Sequence, residues 1–338
     1  MTRPVVTASA LGLSRNLSGK RFPHAEDRGA LEDLRAEVFE LLGGDWERPW
    51  RVHDLESLSM VEIDHLVERG LMTPTFAEGS GPGRGFAVYG DGEASLEING
   101  ADHLRILGFR TGSRLTPLWT LLNQLDDGLE TVFSYAFDPH WGYLSASPRQ
   151  AGSGMRAYVT LQVPALLLTG RLAGVALEVA AHGLGLAALW AGAGGVVQVS
   201  NMHSQGIPES EIIQQIGEIC KGVSERERSV RKKLLRENPV QARDQIGRAL
   251  GTAKHAYSVS FHEAVNVLSA IQVGMEADLI DAPGVEADFA FGLMSRLQPA
   301  HIVVDYMDGK TGCLESPEID EHRARVLREI FVDSVVRS

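Results

Sequence analysis

The feature that most narrows the fold of this chain is a change of texture at Asn201. Before it, short apolar runs alternate with helical spacing and are punctuated by turn residues; after it, almost every segment has the spacing of a helix. Asp91-Gly92 and Asn99-Gly100 are hairpin signals, and they separate strand-like runs at 86–89, 95–98 and 104–109. Further strand runs fall at 4–17, 133–137, 142–145, 156–163, 185–191 and 196–200, with helical spacing at 30–42, 58–71, 115–125 and 166–181. Many short strands with helices between them predict an α+β fold with a largely antiparallel sheet. Past Asn201 a helix is expected from Pro208 to about Glu237, where Asn238-Pro239 breaks it. Helical segments follow at 239–254, 258–279, 285–296 and 318–335. The expected organisation is an α+β domain over 1–237 and a helical domain over 238–338.

Bulk properties exclude several function classes. With 338 residues, 44% of them hydrophobic, the chain can fill two cores. A net charge of -12 repels a phosphate backbone, so nucleic acid is not an expected partner. Cys220 and Cys313 are isolated, which argues against a disulfide framework or a cysteine zinc site and for a reducing cytoplasm. The N-terminal residues have no apolar core of the signal-peptide kind. The apolar stretch 164–199 is interrupted by Arg171, Glu178, His182 and glycines 192, 194 and 195. It therefore reads as a buried helix and strands rather than a membrane span. No Lys-Ser/Thr follows those glycines, so they read as a turn and not a phosphate loop. His140, His182 and His203 lack ligand spacing, and no metal site is assigned. The charged run 225–236 reads as a solvated helix face with i,i+4 pairs.

An ordered set of segments carries a resemblance. They are Leu13-Ser-Arg-Asn-Leu17, Ile98-Asn-Gly-Ala-Asp-His-Leu-Arg-Ile106, Gly142-Tyr-Leu144, Gly152-Ser-Gly-Met-Arg-Ala157, Gln198-Val-Ser-Asn201 and Glu227-Arg-Ser-Val-Arg231. Together they resemble the bacterial protein-arginine kinases of the ATP:guanido phosphotransferase (phosphagen kinase) family. Asp320-Glu-His-Arg-Ala324 is similar to that branch's phosphoarginine-binding R-D-x-x-R-A motif. The resemblance implies a phosphagen-kinase-like catalytic domain, a helical phosphoarginine-binding domain, and the use of ATP and Mg²⁺.

Transfer of a phosphoryl group to a guanidinium needs cations around the phosphates and carboxylates that align the acceptor. Against the family motifs, Ala10 and Gly12 stand where phosphate-binding arginines belong, Gly100 and Ala101 replace two glutamates, and Trp141 replaces an arginine. Ser147 replaces a cysteine, and the family's acidic R-G-x-Y-G-E-G-S-E-A loop has no counterpart between Leu186 and Gln198. Ile319 replaces the first arginine of the C-terminal motif, leaving Asp320 and Arg323. His103, Arg105 and Arg156 remain as residual nucleotide ligands, with a structural role for each left open. Asp102 is expected to face away from the site if its segment is a strand.

The expected function is a family member that has lost phosphotransfer and works as a regulatory pseudokinase. By resemblance, its partners are a zinc-containing adaptor, a kinase paralogue or the Clp system, and a homodimer is left open. Two alternatives stand beside it: an active kinase with a site rearranged around Arg84, Arg110, Arg114 or Arg149, and a guanidinium or phosphoarginine binding module.

Overall fold

The computed structural model describes residues 4–286, 289–307 and 317–337; Cys313 lies outside them. The first half contains β1 (Val6–Arg15), α1 (Arg28–Leu42), β2 (Trp50–His53), α2 (Met60–Glu68), α3 (Pro74–Glu78), β3 (Gly85–Tyr89), β4 (Ala94–Ile98) and β5 (Leu104–Thr111). After α4 (Leu115–Glu130) come β6 (Phe137–Asp138), β7 (Gly142–Tyr143), β8 (Met155–Gln162), α5 (Pro164–Leu168), α6 (Leu172–Ala181), β9 (Leu184–Ala188) and β10 (Val196–Asn201). The remainder is α7 (Glu209–Glu237), α8 (Pro239–His255), α9 (Phe261–Glu276), β11 (Ile280–Asp281), α10 (Phe289–Arg296), α11 (Pro299–Tyr306), α12 (Pro317–Phe331) and β12 (Val335–Val336). The main sheet has the order β2-β3-β4-β5-β1-β8-β10-β9, and β2 through β5 are consecutive antiparallel neighbours. The fold is α+β, as expected, with a more helical C-terminal region. No helix among the described residues is long and apolar enough to cross a membrane.

The chain divides into two compact units, Ser9–Val159 with Ser200–Gly217, and Met1–Ala8 with Thr160–Val199 and Glu218–Ser338. In the first, alternation along each strand makes the core. Leu11 and Leu13 of β1, Leu96 and Ile98 of β4, and Leu104 and Ile106 of β5 are at most 1% exposed. Leu118, Leu122, Leu125 and Leu129 give α4 its buried stripe. Gly83, at φ 66°, lies so close to the Leu31 backbone that an added Cβ would come within 2.4 Å, and Asn99 Nδ2 donates to both Leu31 O and Gly83 O.

In the second unit, Glu227 is fully buried and accepts hydrogen bonds from Ala165 N (3.1 Å) and Leu166 N (2.9 Å), at the free N–H groups that open α5. Arg231 pairs with Glu227 at 2.9 Å and also with Glu276. The charged run 225–236 is thus not wholly solvated: two of its members form a buried network that fixes α5 and α9 to α7.

Other departures have local causes. The apolar run 166–181 is two helices, because Gly170 at φ 67° breaks it. The strand expected at 185–191 stops at Ala188. Trp190 and Ala191 then turn at positive φ, and the Trp190 ring packs on Phe261 and Phe291 at 5.3 and 5.7 Å. The run 133–137 supplies little strand: Tyr135 makes one bridge to Leu17, and pairing begins only at Phe137. The α11 helix, with Pro299 at its first turn, and the β11–β12 pair were not anticipated.

Candidate functional site

Most of the motif residues that survive in the first unit are joined in one buried polar network. Arg15, 1% exposed, bonds Asp126 Oδ2 through Nε (3.0 Å) and Nη2 (2.7 Å) and donates through Nη1 to Ser14 O and Ser153 O. Its guanidinium lies 3.9 Å from the centroid of the Tyr143 ring. Asn16 Nδ2 donates to Asp102 Oδ1 (2.6 Å) and Leu144 O (3.0 Å), while Asn16 Oδ1 accepts from His103 N (3.0 Å). Asp102 Oδ1 also accepts from Ala146 N at 2.8 Å, and both its oxygens lie 3.2 Å from Ser145 Oγ. His103 has no exposed surface, and its Nδ1 is 2.9 Å from Asn16 Oδ1. Burial, with Lys20 nearby, holds its imidazole below the usual range.

Next to this network is a cavity of about 280 Å³ whose wall includes Glu97, Arg105, Asp102, Gly100, Phe76 and Arg84. Asp102 is therefore not turned away on a strand; it lies in the β4–β5 turn and borders the cavity. His103 and Arg105 do not act together as neighbours on one strand face would. His103 precedes β5 and bonds Asn16, whereas Arg105 borders the cavity. Glu97, which the motifs did not single out, stands directly opposite Arg105 in the β4–β5 register and is 3% exposed. Its Oε1 accepts from Thr73 N (2.6 Å) and Thr73 Oγ1 (2.8 Å), and burial raises the carboxyl above its ordinary range. The sequence signal was thin: within Ala94-Ser-Leu-Glu-Ile98, alternation only places Glu97 on the face opposite Leu96 and Ile98.

At Gly12 and Gly100 the space a side chain would take is bordered by Leu107, Arg105 and the Phe76 ring. A Cβ on Gly12 would meet Leu107 Cδ2 at 3.1 Å and Arg105 Nε at 3.5 Å, so Arg105 borders the vacated space. A Cβ on Gly100 would meet the Phe76 ring at 3.1 Å. The Arg84 guanidinium lies 4.1 Å from the centroid of that ring and donates to Phe76 O and Gly79 O. Arg156 donates to Met202 O (3.3 Å) and Ser200 Oγ (3.4 Å). Since β1 lies between β5 and β8, Arg105 and Arg156 are carried on strands about 10 Å apart. Trp141, in the β6–β7 turn, is 51% exposed.

In the second unit, the glycines at 192–195 form a packed turn. Gly194 N donates to Asn266 Oδ1 at 2.7 Å, Gly194 O accepts from Ser269 Oγ, and a Cβ on Gly195 would lie 2.6 Å from Pro164 N. In the C-terminal motif Arg323 is 1% exposed; it donates to Leu297 O and Val259 O, both at 2.8 Å, and pairs with Asp320. Ile319, next to Asp320 in sequence, is buried.

The architecture is that of the ATP:guanido phosphotransferases. Lombricine kinase superposes with a TM-score of 0.59 at 18% identity, covering 67% of this chain and 66% of that one. The duplicated taurocyamine kinase of Schistosoma mansoni gives 0.57 at 18% identity over 66% of this chain, which spans only a third (33%) of that longer protein. The model of the ATP:guanido phosphotransferase C-terminal catalytic domain matches residues 33–230, and that of the protein-arginine kinase McsB C-terminal domain matches 239–336. Protein-arginine kinases from Halothermothrix orenii and Moorella thermoacetica are each 31% identical, over 96% and 97% of this chain and 93% and 94% of theirs. The chain belongs to the protein-arginine kinase family.

Proposed function

We propose that this family member no longer transfers phosphate and acts through protein contacts, as a regulatory pseudokinase. The observation that carries this reading is the Phe76 ring, 3.1 Å from where a Cβ on Gly100 would stand. By the family pattern an acid belongs at that position; here apolar surface and the Arg84 guanidinium fill the approach. A transition state that requires a carboxylate beside the acceptor nitrogen loses that group. The cation set is also reduced, since Ala10, Gly12 and Trp141 supply no positive charge. Arg105 and Arg156 fit an anion, and they are the residues that would hold nucleotide phosphates if ATP and Mg²⁺ bind. His103 is better explained as part of the buried network.

The second domain, taken as 238–338, is proposed to have lost its phosphoarginine clamp as well, because Arg323 is committed to Leu297 O, Val259 O and Asp320. The proposed partners are a zinc-containing adaptor, an active paralogue or the Clp machinery. The competing reading is a rearranged active site. Of Arg84, Arg110, Arg114 and Arg149, only Arg84 borders the cavity, and it donates to two carbonyls of its own segment.

The test is incubation of the full chain with γ-labelled ATP, Mg²⁺ and an arginine-rich protein, read as acid-labile phosphate. No incorporation above a no-enzyme control is expected. Transfer that depends on Arg105 or Arg156 would overturn the proposal.

A further inference from the structure

The second unit holds a cavity of about 340 Å³, walled by α5, the glycine turn, the end of α7 and one face each of α8 and α9. None of His103, Arg105, Arg156, Asp320 and Arg323 borders it. Its walls are aliphatic and glycine apart from Gln245, Asn266 and Ser269, and among the described residues no charged or aromatic side chain lines it. Polar ties fix these walls in place. Glu227 holds the first turn of α5, Arg231 joins Glu227 to Glu276 on α9, and Asn266 and Ser269 of α9 bond the N–H and C=O of Gly194. The backbone of the turn is already in contact with α9, since a Cβ on Gly194 would stand 2.9 Å from Val265 O. Interiors ordinarily close over apolar space, because a void forfeits the contacts of its lining. Here Leu167 and Leu168 of α5 stay 41% and 64% exposed at the edge of the open space.

We propose that this cavity binds a medium-chain fatty acid, aliphatic tail inward and carboxyl head at the mouth. The lining decides the chemistry. With no charge to meet one, the buried part of the ligand is uncharged. With no ring to stack on, a flexible chain suits the walls better than a planar aromatic. The polar groups sit at the outside: Gln245 and Asn266 are exposed, and Asn266 Oδ1 accepts from Gly194 N at 2.7 Å, which leaves its Nδ2 as a donor. A head group there has to accept hydrogen bonds, and at an exposed mouth a carboxylate keeps its water. An apolar cavity of about 150 Å³ takes benzene, so this one takes roughly 12–14 non-hydrogen atoms, the size of a ten- to twelve-carbon acid. Nothing in this site requires ATP or phosphotransfer, so it stands apart from the pseudokinase reading.

The experiment is calorimetric titration of the full chain with saturated fatty acids of increasing length, from hexanoate to hexadecanoate, each below its micelle concentration. Affinity is expected to rise about fourfold per methylene and to level off near dodecanoate, at one molecule per chain. Dodecylammonium, which can only donate, should bind at least about tenfold more weakly than dodecanoate. Non-specific surfactant binding to a chain of net charge -12 would favour the cation instead. Ala270→Phe fills the cavity and should lower dodecanoate affinity at least about tenfold. Should that variant fail to fold, Leu168→Gln, at an exposed position on the rim, should weaken binding about threefold or more without lowering the melting temperature. Absence of binding at every length, affinity that still climbs beyond dodecanoate, an ammonium as tight as the acid, or unchanged affinity in the folded variants would each overturn the proposal.

Discussion

Two polar regions lie side by side in the first unit, and they are built on opposite principles. Around Arg15, Asn16, Asp102 and Asp126, most buried charges and amides meet a partner, Asp126 Oδ1 and His103 Nε2 being the exceptions. Around Glu97 and Arg105, two opposed charges border a cavity; the guanidinium favours the carboxylate, yet Arg105 Nε is buried without a hydrogen-bond partner. Both hold residues of the family motifs, yet only the first gives a reason for their presence that needs no ligand. Retention of a motif residue is thus a poor guide to retained chemistry: Arg15, Asn16 and His103 are what β1 and the β4–β5 turn need to pack.

Breaking the network should have the largest effect. Asp126→Ala leaves Arg15 buried without its counter-ion and is expected to cost about 3–5 kcal/mol, read by urea unfolding. A loss below about 1 kcal/mol would place Arg15 with the unsatisfied charges instead. Asn16→Ala comes next, at about 1–3 kcal/mol, since it takes one of its donors from Asp102 and the acceptor from the His103 amide.

Acid and base should tilt the two regions in opposite directions. His103 is held below its ordinary 6.5, so the unfolded chain takes up the proton first and stability falls as pH drops below about 6.5. His103→Gln should flatten that slope. Glu97 is raised above its ordinary 4.5, so the unfolded chain releases the proton first and stability falls as pH rises above about 4.5. Glu97→Gln should remove this second slope, and the difference between the variants' pH profiles measures the contrast directly. The smallest effect is expected from Arg156→Gln, within about 0.5 kcal/mol in stability, with a loss of affinity for inorganic phosphate as its readout.

Much of this was legible in the sequence. The hairpins at Asp91-Gly92 and Asn99-Gly100 and the helix break at Pro239 need only local rules, while the missing charges at 10, 12, 100 and 101 show only against the family motifs. The cavity did not. Its wall joins Phe76, Glu97 and Gln150, residues far apart in the chain that only strand register and the course of α3 bring together. Nor did the split of the apolar run at Gly170 or the turn at Trp190, where a left-handed backbone and ring packing override apolar periodicity.

The Glu227–Arg231–Glu276 network has a consequence for how the gene can be cut. Glu227 lies within the segment matched by the first family model and Glu276 within that matched by the second, and Arg231 falls just past the end of the first. Translation order and packing order therefore disagree: the ribosome finishes Glu227 and Arg231 well before it reaches Glu276, the second carboxylate that Arg231 pairs with. The two segments are separable as text, but a cut between them would divide one buried ion-pair network.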